Sequence, residues 1–194
     1  MYLNNNALPF VNSAKHLGHH IDNSHCSIKM DMMVKRAMAI QKCNELCQEF
    51  SFCHPTNKLW LNRIYNFSYT GSQLWDLFSK ESKMIENSYN ISVRMMLGLP
   101  HNAHRYLIEP LEGKTHVKQV LVKRFLQFCE NLGSCRKKVI KDTFNKIKCD
   151  VRTTTGSNLA EIGVLLGIPP WKLTCSDAKA IKFEVMKDEE NYRI

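Results

Sequence analysis

"SIKMDMMVKRAMAIQKCNELCQEF", residues 27–50, decides the fold class. Its apolar residues Ile28, Met32, Ala37, Met38, Ile40, Leu46 and Phe50 recur at helical spacing, broadly on one side. The stretch is rich in methionine (Met30, Met32, Met33, Met38), which reads as adaptable core filling rather than a ligand-binding stripe. The preceding residues behave differently. Residues 8–23 alternate loosely, with Leu8 and Phe10 followed by Leu17 and Ile21 around Gly18, a pattern for two short strands and a turn.

Working downstream, "HPTNKLWLNRIYNFSYTG" opens a second helix. Pro55 and Thr56 suit a helix start, and Trp60, Leu61, Ile64, Tyr65 and Ser68 share a face. Gly71 interrupts it before a short continuation through Leu74, Trp75 and Phe78. A third helix runs from about Ser82 to Leu97 with Met84, Ile85, Tyr89 and Met96 on its apolar face. "GLP" at 98–100 stops it, with Gly past the last turn and Pro soon after. Three helices with short connections bury one another as a small bundle.

Residues 115–131 form a further helix whose apolar positions (Val117, Val120, Leu121, Phe125, Leu126, Phe128) cover more than half the circumference, so it is expected to be largely buried. The helix over about 135–148 is two-faced. Val139, Ile140, Phe144 and Ile147 lie on one side, and Lys137, Lys138, Lys141 and Lys148 on the other. "DVRTTTGSNLAEIGVLLGIPPW" then reads as a loop and a short helix, capped by Asn158 with Glu161 and ended by Gly167 and Pro169. The expected architecture is mainly α. A short N-terminal β-hairpin (1–26) precedes a three-helix bundle (27–100), a basic helical extension (101–152), and a short helix with a polar tail (153–194).

Charge is localised. The chain carries +9, and residues 114–150 hold ten Lys/Arg against three Asp/Glu, a net +7 that leaves +2 for the rest. Such an excess suits a polyanion, above all nucleic acid, or else a solvated helix face. Lys137, Lys138 and Lys141 form the best phosphate-facing stripe. No run approaches a membrane span, and no signal peptide is visible. Eight cysteines without a secretion signal read as reduced thiols of an intracellular protein, cytoplasmic or nuclear.

Few residues suggest catalysis. The acidic run Asp188–Glu190 sits in the tail, Asp22 and Asp31 are isolated, and neither a phosphate-cradling glycine loop nor a G-x-S-x-G motif occurs. Cys43, Cys47, Cys53 and His54 include zinc-ligand types, but their spacing matches no familiar finger, so no metal or other cofactor is assigned. His19 and His20 point to opposite faces if the segment is a strand. Trp60, Tyr65, Tyr69 and Trp75 are read as core, with base stacking as the alternative.

The segment "FVNSAKHLGHHIDN" (10–23) resembles the stretch after the catalytic palm in reverse transcriptases of LINE-type, non-LTR retrotransposons. There a hairpin with a Lys-aromatic-Leu-Gly centre forms the primer grip. Lys15, Leu17 and Gly18 match that pattern, with His16 in place of the aromatic. The resemblance implies that Gly18 lets the backbone lie along a primer and that Lys15 reaches a phosphate. "LWLNRIYNFSYTGSQLW" is similar to the family's thumb helix through Tyr69, Gly71 and Trp75. "YNISVRMMLGLPHNAHRYLIEPL" is similar to the next block, where an Arg-rich helix ends in Gly-Leu-Pro.

The family's aromatic-Asp-Asp polymerase motif occurs nowhere in the chain. The resemblance therefore implies a primer-grip, thumb and downstream portion, with fingers and palm upstream of Met1, and no catalytic residue carries over. The expected activity is at most weak, non-specific binding of an RNA–DNA or DNA duplex, alone or beside a complete reverse transcriptase in trans. The alternatives are a helical protein-interaction module, or a decayed gene product, with no nucleic-acid role.

Overall fold

A computed structural model of the chain describes residues 2–3, 6–7, 13–16, 19–22, 27–66, 69–104 and 117–181, with backbone alone through residue 28 and at 63, 65 and 66. The architecture is mainly helical. Strands β1 (Tyr2–Leu3) and β2 (Asn6–Ala7) pair with each other, as do β3 (Ser13–His16) and β4 (His19–Asp22). The β3–β4 pair is antiparallel with Lys15 opposite His20, and β4 lies along the first helix. Leu17 and Gly18 fall outside the described residues. The helices are α1 (Ser27–Glu49), α2 (Pro55–Asn66), α3 (Lys80–Leu97), α4 (Val117–Gly133), α5 (Lys138–Ile147) and α6 (Thr154–Leu166).

Helices α1 and α3 run parallel. Lys29 Nζ reaches Glu81 Oε1 at 2.8 Å, and Arg36 Nε donates to Ser88 Oγ at 2.8 Å. Further along, Cys43 Sγ donates to the Ser92 carbonyl at 3.7 Å, and Cys47 Sγ meets Met96 Sδ at 3.7 Å. Partner numbers rise together on both helices, which only a parallel pair allows. Lys29, Arg36 and Cys43 follow a heptad spacing, which keeps one seam of a helix against a parallel neighbour. Ser88 and Ser92 are small and turn their hydroxyls back onto the carbonyls of Met84 and Ser88, so the two backbones can approach closely. Parallel helices need a crossover, and α2, packed on both, supplies it.

The buried faces differ from the sequence expectation in two places. On α1 the core side is Met32, Cys43 and Leu46, whereas Ala37, Met30, Met33 and Met38 are exposed. Most of the methionines expected to fill the core therefore point outward. On α2 the inward residues are Leu59 and Asn62, while Trp60 and Ile64 are each more than half exposed. Trp60 is thus not a core aromatic; Tyr69 and Trp75 are. Helix α3 follows expectation more closely. Ser79 caps it by accepting from the Ser82 amide, Ile85, Tyr89, Val93 and Met96 are buried, and Gly98 ends it at φ 65°.

The second layer is built on α4. This helix packs on the turn Ser72–Leu74, on the turn Asp177–Lys179, on α5 and on the end of the bundle. Val117, Leu121, Val122, Phe125 and Leu126 are fully enclosed, each contributing roughly 1.5–3 kcal/mol by burial. They join Trp75, Ile85, Met96, Leu159, Ile162 and Ile181 in one apolar core.

The segment Trp75–Leu77 knots the layers together. Trp75 Nε1 donates to Asp31 Oδ2 at 3.2 Å, and its ring meets Tyr69 edge-on at 5.9 Å. From α6, Asn158 Nδ2 donates to the Trp75 carbonyl at 2.8 Å while its Oδ1 accepts from the Leu77 amide at 3.0 Å. Asn158 is therefore a buried clamp and not the expected helix cap. Thr153 takes that role, its Oγ1 accepting from the Gly156 amide at 3.0 Å. Gly167, at φ 64°, ends α6 as the sequence suggests.

Candidate nucleic-acid interface

Helix α5 is short and strongly basic at its beginning. Lys137 occupies the N-cap position with extended backbone (φ −76°, ψ 109°) and no side-chain cap bond. Lys138 is the first helical residue, and Lys141 follows one turn later. All three side chains are exposed. With Arg136 they form no ion pair among the described residues. The opposite side packs through Phe144, whose ring edge sits 3.7 Å from where a Cβ on Gly133 would be.

The two-faced reading of α5 needs two corrections. Val139 is 78% exposed, and Phe144 is the buried residue of the helix. Lys148 does not join the cationic side; its Nζ stands 5.8 Å over the Phe144 ring.

A groove of about 740 Å³ runs along the outer face of α4. Its floor is Val120, Lys123, Arg124, Gln127, Phe128 and Asn131. One wall is Tyr69, Thr70 and Gln73, and the other is Ala178 and Lys179. Gln119 Nε2 donates to the Lys179 carbonyl at 2.7 Å and so fixes the second wall to the floor. Burial pushes the Tyr69 phenol well above its usual range, with the nearby Arg124 opposing the shift, so the hydroxyl stays protonated. Three cations line the groove and, among the described residues, no carboxylate does; Glu130 accepts from the Cys175 amide at 2.7 Å and from Gln127 Nε2 at 3.3 Å.

Sequence reading missed this groove. Lys123 and Arg124 lie inside the net +7 segment, but Gln73 and Lys179 come from distant parts of the chain, and no local spacing links them to α4. Of the other candidate site residues, Lys15 is placed only as backbone in β3.

Cys43 and Cys47 lie within reach of each other, but Cys43, Cys47, Cys53 and His54 are not brought together as one ligand set. Cys43 is buried against Ser92, Cys47 faces Met96, and His54 Nδ1 receives the Thr56 amide at 3.4 Å. Among the described residues no group of His, Cys, Asp or Glu is arranged to hold a metal. Burial raises the Cys43 thiol to about 11 and Cys129 to about 12, which keeps both protonated and unreactive at neutral pH. No described helix is long and apolar enough to cross a membrane. Comparison of the chain with protein-family models, with curated proteins and with solved structures finds no match.

Proposed function

We propose that the chain binds nucleic acid non-specifically along its phosphate backbone, with Lys137, Lys138 and Lys141 as principal contacts. The observation that carries this reading is the start of α5. Helices favour Ser, Thr, Asp or Asn at the N-cap and acidic residues in the first turn, where the positive end of the helix dipole lies. Here lysine stands at the N-cap and again at the first helical position, exposed and, among the described residues, without acidic partners. That choice costs helix stability, and a phosphate held there would relieve both the unmet amides and the crowded charge.

This role agrees with the resemblance to the primer-grip, thumb and downstream portion of a LINE-type reverse transcriptase. In that reading β3–β4 is the primer-grip-like hairpin, offering Lys15, Leu17 and Gly18 to a primer, and α1–α3 is the thumb-like bundle. The partner is an RNA–DNA or DNA duplex, or a complete reverse transcriptase in trans. No cofactor and no catalytic step is assigned. The seven described cysteines are free thiols, which supports a reducing, cytoplasmic or nuclear setting. A second reading, a helical protein-interaction module, draws on the exposed Met30, Met33 and Met38 of α1 and Trp60 and Ile64 of α2.

The test is binding of a labelled RNA–DNA hybrid across a salt series, with Lys137, Lys138 and Lys141 changed together to Glu. The unchanged protein should lose affinity steeply with salt. The triple variant should flatten the log–log slope by about 2–3 units, near 0.9 for each phosphate no longer neutralised. Absence of binding even at low salt overturns the proposal and leaves the interaction module.

A further inference from the structure

The groove on α4 has a chemistry that backbone binding does not require. Phosphate contacts ask only for donors and cations on an open surface. This groove also presents side-chain amides, each both donor and acceptor, and an aromatic ring. Gln73 stands on one wall without a hydrogen-bond partner among the described residues. Gln127 and Asn131 are exposed along the floor, one turn apart, with the half-buried Phe128 between them in sequence. Gln127 Nε2 donates to Glu130 at 3.3 Å and to Asn131 Oδ1 at 3.4 Å, which leaves the Gln127 oxygen and the Asn131 amide nitrogen to a ligand in the groove. Lys123 and Lys179 supply charge from the floor and the opposite wall. The 740 Å³ volume falls in the range of small-ligand sites, about 300–1,000 Å³. It is far too small to enclose a duplex.

We infer that this groove holds an unpaired nucleotide, its base against Phe128 and the amides of Gln73, Gln127 and Asn131, and its phosphate on Lys123 and Lys179. An unpaired base offers a free π face and a free hydrogen-bonding edge, both of which a duplex hides. A base stacked on an aromatic ring gains enough to matter at tenfold resolution. Asn131 lies near the end of α4, and the chain passes from there through Arg136 to the lysines that open α5. The inference rests on the nucleic-acid reading and adds to it that a strand end, not only a duplex flank, is bound. The same chemistry is available from a free mononucleotide, so the experiment carries an arm for each source.

Binding would be measured at one fixed salt concentration for a blunt RNA–DNA hybrid and for the same hybrid with a short single-stranded overhang. The overhang should bind about tenfold tighter. Phe128→Leu, which keeps apolar volume but removes the ring, should abolish that advantage and leave blunt affinity unchanged. Gln127→Ala, at an exposed position, should reduce the advantage in the same direction. Adenosine monophosphate at millimolar concentration that cancels the overhang advantage supports a groove accepting free nucleotide as well. An advantage that survives it supports a groove reading a strand end. Equal affinity for blunt and overhanging hybrid, with steep salt dependence retained, overturns the groove assignment and leaves backbone binding standing. An overhang advantage that both variants keep overturns it too. Failure to bind either probe at low salt removes the nucleic-acid reading itself.

Discussion

Asn158 on α6 and Trp75 in the link between α2 and α3 are joined through backbone: the Asn158 Nδ2 donates to the Trp75 carbonyl at 2.8 Å, and its Oδ1 accepts from Leu77 two residues on at 3.0 Å. One side chain thus satisfies a donor and an acceptor in a stretch that forms no regular helix. Because the Trp75 indole is fully buried and donates to Asp31, the same few residues tie α1 to α6.

Replacement of Asn158 by Ala should therefore cost more than a typical polar truncation. It leaves a buried carbonyl and a buried amide without partners, each a penalty of about 1–3 kcal/mol. A loss of about 3 kcal/mol is expected in urea unfolding, with a fall in Tm of roughly 6–12 °C. Asn158→Leu should not recover it, since volume is not what is lost. A change under about 1 kcal/mol for Asn158→Ala would show that the clamp contributes little.

Gly156 sits in the first turn of α6 for lack of space. A Cβ there would meet the Ile147 carbonyl at 2.9 Å and stand closer still to that of Asp150. Ordinarily Gly→Ala within a helix gains about 1 kcal/mol. Here the sign should reverse, with Gly156→Ala losing about 2–3 kcal/mol as α5 and α6 are forced apart. Gly98→Ala makes the comparison, because its Cβ would meet nothing within 4 Å and only its φ of 65° opposes the change. About 1 kcal/mol is expected there. Chemical denaturation of both variants separates steric from conformational cost.

Local signals carry the helix ends and the buried faces of α3 and α4, and fail on the faces of α1 and α2. Gly98 and Gly167 are legible as stops because a left-handed residue ends a helix wherever it packs. The inward face of α2 is not, because Trp60, Leu61 and Ile64 outweigh Leu59 and Asn62 in any hydrophobic count. What buries Asn62 is the position of α1 and α3, and that is tertiary information. Asn158 misleads for a similar reason. It has the chemistry of a cap, but Thr153 lies at the true helix start, and the clamp partner is more than eighty residues away. The lysines of α5 stand out in the sequence because the charge excess is local. The groove does not, because its two walls and its floor come from three separate parts of the chain.

The thiols give a pH-dependent expectation with a definite sign. Burial raises Cys43 from 9.0 to about 11 and Cys129 from 9.0 to about 12 in the folded chain. Between those limits the folded state keeps protons that the unfolded state has released. Stability from these groups is therefore whole below about pH 9 and declines as pH rises toward 11–12. Denaturant midpoints from pH 8 to 11 should fall, and Cys43→Ala with Cys129→Ala should flatten the fall. At pH 8, alkylation followed by peptide mass analysis should label the exposed Cys149 quickly and reach Cys43 and Cys129 only on unfolding.

The start of α5 sets stability against binding, and the two respond oppositely to one substitution. Lys137 already has the extended backbone of an N-cap but offers no acceptor to the amides beyond it. Lys137→Asp supplies that acceptor and places a negative charge at the positive end of the helix, which should stabilise the protein by about 1 kcal/mol. The same change removes a cation from the proposed phosphate stripe and adds repulsion. Affinity for the RNA–DNA hybrid near 0.1 M salt should drop about tenfold, with the salt slope shallower by about 1. Thermal unfolding and a salt titration on the same sample read both effects. A variant that gains stability and binds unchanged would mean that the lysines face solvent for no ligand's sake, and nucleic acid would then have to be held elsewhere.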